Sequence, residues 1–133
     1  MNNNKKMKVQ KSENLFETEW AKPNKDIFSG DIIIILNEGK LLSGKYGERY
    51  VFKIQTKRGD VRLLTFNRTT MNSLIDGYGE ETSEWQGKKA KVWIVKSNIS
   101  GKIKDVVYLT PPDWIEKDGR FVSPSDDIPV IES

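Results

Sequence analysis

Residues 49–67, RYVFKIQTKRGDVRLLTFN, constrain this chain more than any other stretch. Apolar and polar positions alternate on the approach to an Arg58-Gly59 turn. Tyr50, Phe52, Ile54 and Thr56 fall on one face, and Arg49, Val51, Lys53 and Gln55 on the other. Strict alternation predicts a half-buried strand, and two such runs around a glycine turn predict a hairpin. Setting Lys57 opposite Asp60 pairs Thr56 with Val61, Ile54 with Leu63 and Phe52 with Thr65 on an expected core face. The second face then pairs Gln55 with Arg62, Lys53 with Leu64 and Val51 with Phe66. Cations interleaved with aliphatic residues and an aromatic are more than a solvated face needs. Either a helix or another subunit covers this face, or it meets a polymer offering phosphates and flat bases. Single-stranded nucleic acid is gripped by that combination of cations and apolar surface.

The chain has no cysteine and no histidine, which removes disulfides, thiolate nucleophiles, Cys/His zinc sites and the usual general base near neutral pH. Carboxylate metal sites would need clustered acids. The dense run in the body, Glu80, Glu81 and Glu84, reads as a solvated loop, so no enzyme, cofactor or metal is expected. With 133 residues the chain forms one domain. The net charge is +3, unevenly placed: fourteen Lys or Arg against nine acids in residues 30–110, but two against six in residues 111–133. A basic body with an acidic tail suits a polyanion partner. No apolar run approaches the roughly 20 residues of a membrane span, and the basic start lacks a secretion signal's apolar stretch. A cytoplasmic protein without membrane contact is the expectation.

Along the chain, residues 1–26 read as a flexible basic arm with a short apolar group, Leu15, Phe16 and Trp20. Trp20 is expected to plug the end of the core. The run IIIIL at residues 32–36 begins the first core strand. Asn37-Glu38-Gly39 breaks it and residues 40–46 resume it, as in a long first strand bent at a glycine. The hairpin supplies the second and third strands. Met71, Leu74, Ile75 and Tyr78 recur at helical spacing, capped by Asn67 or Thr69 at the start and Gly79 at the end. This helix is expected to plug the bottom of a barrel. A fourth strand, residues 89–96, turns Ala90, Val92 and Ile94 inward and Lys91, Trp93 and Val95 outward. SNISGKIKD reads as a flexible loop, and residues 105–110 as a fifth strand ended by Pro111-Pro112. Residues 113–133 read as an acidic, largely flexible tail.

The order strand, strand, strand, helix, strand, strand is that of an OB-fold: all-β with one helix, a five-stranded Greek-key barrel with the helix between strands 3 and 4. With the pattern FN…Leu74-Ile75…Tyr78-Gly79…Trp85-Gln86-Gly87-Lys88, residues 27–112 resemble OB-fold single-stranded-DNA-binding proteins of archaea, bacteria and phages. The resemblance implies binding without chemistry, in support of DNA replication, recombination or repair. Asp126-Asp127-Ile128-Pro129 is similar to the acidic tip by which bacterial single-stranded-DNA-binding proteins recruit replication and repair partners, although Val130 stands where those have Phe. Arg49, Lys53, Lys57, Arg58 and Arg62 are the expected phosphate contacts. Trp93, beside Lys91, is the expected stacking platform, while Phe66 reads either as a second platform or as core. Tyr46, Tyr108, Lys45, Lys102 and Lys104 are secondary candidates. Two other classes stay open: an RNA-binding OB domain, and a protein-interaction barrel that assembles as an oligomer.

Overall fold

The computed structural model describes residues 18–45 and 47–124. The described residues are mostly β, with an antiparallel six-stranded sheet and one named α-helix among them. β1 (Ile32–Ile35) and β2 (Lys40–Gly44) are two halves of one bent strand. Both lie along one edge of β3 (Gly47–Gln55), β2 pairing its first half (Lys40 with Val51) and β1 its end (Ile35 with Ile54). Gly39, at φ 80°, makes the bend. β4 (Val61–Phe66) takes the other edge of β3, while the second edge of β1 pairs with β5 (Lys89–Ile99), which pairs in turn with β6 (Lys102–Thr110). No ladder joins β4 to β6 among the described residues, so the sheet is not closed.

The hairpin forms with a register one residue away from expectation. Thr56 N–H donates to the Asp60 carbonyl (2.7 Å) and Gly59 N–H to the Thr56 carbonyl (2.9 Å), leaving a three-residue loop with Gly59 at φ 97°. Such a loop wants glycine at its positive-φ position. Gln55 therefore meets Val61, Ile54 meets Arg62 and Phe52 meets Leu64. Because side chains alternate with period two, this slip sends every residue of β4 to the opposite face. Arg62, Leu64 and Phe66 turn inward, and Val61, Leu63 and Thr65 turn outward.

Phe66 accordingly lies in the core, 2% exposed, its ring stacked on Phe52 at 4.0 Å. Phe52 also stacks on the fully buried Trp85 (5.7 Å), whose indole N–H donates to the Gly79 carbonyl (2.9 Å). A buried tryptophan needs that partner. Ile27, Ile33, Ile35, Ile54, Leu64, Met71, Leu74, Ala90, Val92 and Leu109 pack with them in the core.

α1 (Arg68–Tyr78) starts at Asn67, whose side chain accepts from Thr70 N–H, and stops at Gly79, φ 96°. It does more than plug an end, because it caps the outer edge of β6. Leu109 N–H donates to Thr70 Oγ1 (2.9 Å), the Ser73 hydroxyl donates to the Leu109 carbonyl (2.7 Å), and Asn67 Nδ2 donates to the Val107 carbonyl (2.9 Å). The opposite sheet edge is covered too. Ala21 N–H donates to the Leu63 carbonyl and Leu63 N–H to the Glu19 carbonyl, each 2.8 Å. Trp20, expected in the core, lies in this edge segment and is 44% exposed. Both edges of the open sheet are thus blunted where these groups bond, at Leu63 and at Val107–Leu109.

Two stretches are more ordered than their composition suggested. SNISGKIKD belongs to strands β5 and β6, which run on to a two-residue turn at Ser100 (φ 53°) and Gly101 (φ 81°). Residues 115–122, expected within a flexible tail, form a separate two-stranded hairpin, β7 (Ile115–Lys117) and β8 (Arg120–Val122), around Asp118-Gly119. The N-terminal arm to residue 17, Tyr46 and the 126–129 motif lie outside the described residues.

Candidate nucleic-acid interface

In β5, Ala90 and Val92 are fully buried, so Lys89, Lys91, Trp93 and Val95 face away from the core. The register places Tyr108 opposite Trp93, Val106 opposite Val95, Lys104 opposite Ser97 and Lys102 opposite Ile99. Together they make one ribbon that leaves the body of the sheet and continues along a projecting arm. Positive φ at both turn residues gives the arm a twist that matches its strands. Every charged residue on this ribbon is a cation: Lys89, Lys91, Lys102 and Lys104. The arm's one acid, Asp105, is held on the reverse face by Lys96 (2.9 Å) and Asn24 (3.1 Å). The Lys96 pair is too exposed to contribute much stability. Strand alternation, not this pair, sets the acid on the face away from the ribbon.

Trp93 is fixed from several sides. Its Nε1–H donates to Thr110 Oγ1 (2.9 Å), and Lys91 Nζ sits 4.8 Å from the ring centroid. A cation at that distance is attracted to the indole face, so charge and aromatic surface arrive as a unit. Phe121 of β8 leans on Trp93 (5.0 Å) and on Tyr108 (5.5 Å), tilted about 46° and 51°. Next to these rings opens a cleft of about 670 Å³. α1 contributes Thr69, Asn72 and Asp76 to it, and the β7–β8 hairpin adds Glu116, Arg120 and Phe121. Its volume falls within the roughly 300–1,000 Å³ typical of ligand pockets.

Of the residues predicted to bind, Lys91 and Trp93 are brought together on this ribbon. Lys53 shares the outer side of the sheet, but its neighbours Val51 and Leu63 are 1% and 2% exposed. Around Lys53 the hairpin's outer face therefore offers no open apolar platform. Arg49 is exposed in the first half of β3, opposite Leu42. Lys57 and Arg58 are exposed at the hairpin turn, Arg58 Nη2 donating to the Lys25 carbonyl (2.7 Å). Arg62 faces the other way, its Nε 3.7 Å from Asp26 Oδ1. The register slip thus removes Arg62 and Phe66 from the expected surface. Tyr108, Lys102 and Lys104, secondary in the sequence reading, become central. Phe121 and Arg120 were missed altogether, although Asp118-Gly119 between two short alternating runs is a hairpin signal.

Among the described residues no group of three or more His, Cys, Asp or Glu side chains is placed to hold a metal ion. No helix there is long and apolar enough to cross a membrane. The chain matches no protein-family model, and no curated protein is significantly similar to it.

Proposed function

We propose that this chain binds single-stranded DNA, without catalysing a reaction, along the outer ribbon of β5 and β6. The observation that carries the reading is the Trp93–Tyr108 cross-strand pair with Lys89 and Lys91 on one side and Lys102 and Lys104 on the other. A stacking surface for bases lies between two groups of cations for phosphates along one path, which is what sequence-tolerant single-strand binding requires. A duplex hides its base faces within its own stack, so the ribbon should discriminate against it. The strand path supports an OB-type arrangement: counting the bent β1–β2 as the first strand, the order is third, second, first, fourth, fifth. α1 stands where a closing third-to-fifth pairing would be made. The likeness in residues 27–112 to OB-fold single-stranded-DNA-binding proteins points the same way.

The test is fluorescence anisotropy of a labelled mixed-sequence single strand at two salt concentrations, beside the same sequence as duplex and as RNA. Binding should weaken with salt through counterion release and be much poorer to duplex. Trp93→Ala should cost about 1–3 kcal/mol, roughly 5- to 150-fold in affinity. No response to single-stranded DNA at low salt would refute the proposal, and tighter binding to RNA would reassign the partner.

A further inference from the structure

We infer that the cleft beside Trp93 receives one base of the bound strand and selects bases that carry an amino group. This deepens the single-strand reading and rests on it. Trp93, Tyr108 and Phe121 supply aromatic wall on the sheet and hairpin sides. The facing wall is α1, where Asn72 and Asp76 stand four residues apart on one exposed helix face and both line the cleft. Two carboxylates line the cleft, Asp76 on α1 and Glu116 on β7, the latter accepting from Gly119 N–H (2.6 Å); both repel phosphate, so the part of a nucleotide that enters is the base. The phosphates are left to Lys91, over the Trp93 ring, and to Arg120 on the β8 rim. An ionised carboxylate only accepts hydrogen bonds, so the base edge that meets Asp76 must donate. Cytosine, adenine and guanine each carry an amino group. Thymine and uracil offer two carbonyls around a single imino N–H, and a carbonyl would be set against the carboxylate. The ribbon is therefore indifferent to sequence along its length, with one position read at the cleft.

Oligo-dC and oligo-dT of equal length make the comparison, because both are pyrimidines and differ little in stacking area. Affinities are measured for the full chain, for Asp76→Ala and for Asn72→Ala, with circular dichroism confirming that each exposed helix variant folds. The unsubstituted chain should prefer oligo-dC by about fivefold or more, the low end of what one well-formed base contact provides. Asp76→Ala should bring the ratio of the two affinities close to unity. Equal affinities for the two oligomers, or a preference that survives Asp76→Ala, would overturn the inference while leaving single-strand binding intact. Failure to bind either strand would overturn the functional reading beneath it, and this inference with it.

Discussion

At Gly39 the backbone has φ 80°, and the Phe52 ring lies 2.5 Å from where a β-carbon would stand. Gly39→Ala should therefore destabilise the chain by about 2–4 kcal/mol, combining backbone strain with core overpacking, as read from denaturant midpoints. Tyr78 makes a different kind of prediction. Burial, and then the negative charge of Asp113, raise its pKa above the ordinary 10.0, and its hydroxyl donates to the Lys89 carbonyl (2.6 Å). The folded state favours the neutral phenol. Its contribution is fully present below the unfolded value and is lost as pH rises through the higher folded value. Stability of the unsubstituted chain should fall more steeply above about pH 10 than that of Tyr78→Phe, measured as denaturation midpoint against pH. Equal slopes would show that the hydroxyl carries no such linkage. Phe66 and Trp93 mark what single residues disclosed. Trp93's outward direction followed from Ala90 and Val92, which are both buried. Phe66 could not be placed by alternation alone, because its face depended on how many residues the turn at Gly59 consumes.

α1 was legible from its apolar spacing, its Asn67 cap and its Gly79 stop, since all three are local signals. Its contact with β6 was not. Thr70 and Ser73 are polar residues with no sequence mark to say that they satisfy a strand edge, yet both are buried and bonded to Leu109. Thr70→Val, nearly the same shape, would leave Leu109 N–H buried without its acceptor. It should cost about 1–3 kcal/mol and speed hydrogen exchange at the Leu109 amide. Unchanged exchange there would mean that another group satisfies the edge. The arm between β5 and β6 escaped the sequence reading for a compositional reason. Ser, Asn, Gly and Lys suggest loop, but here the polar residues alternate along solvent-exposed strands around Ser100-Gly101. Asp118-Gly119 gave a comparable signal for β7–β8, masked by the acidic, proline-containing stretch that follows.

For the molecule as a whole, the order of strands and helix could be read from periodicity, whereas closure of the sheet could not. Closure turns on whether α1 or β4 takes the free edge of β6, a competition between distant groups that no local pattern encodes. Charge behaves similarly. The excess of cations in residues 30–110 was visible, but that Lys89, Lys91, Lys102 and Lys104 share one ribbon, with Asp105 on its reverse face, follows from the β5–β6 register. If Lys102 and Lys104 each neutralise one phosphate, the Lys102→Ala, Lys104→Ala double variant should reduce the salt slope of log affinity by about 1.4, at about 0.7 per contact. An unchanged slope would place the phosphates elsewhere.

The most direct measurement is amide chemical-shift mapping of the labelled chain during titration with mixed-sequence single-stranded DNA. Perturbations should concentrate in residues 89–99 and 102–110 and extend to Phe121, with residues 57–62 little changed. Shifts confined to the 57–62 turn, or none at an excess of strand, would contradict the assignment of the interface to β5 and β6.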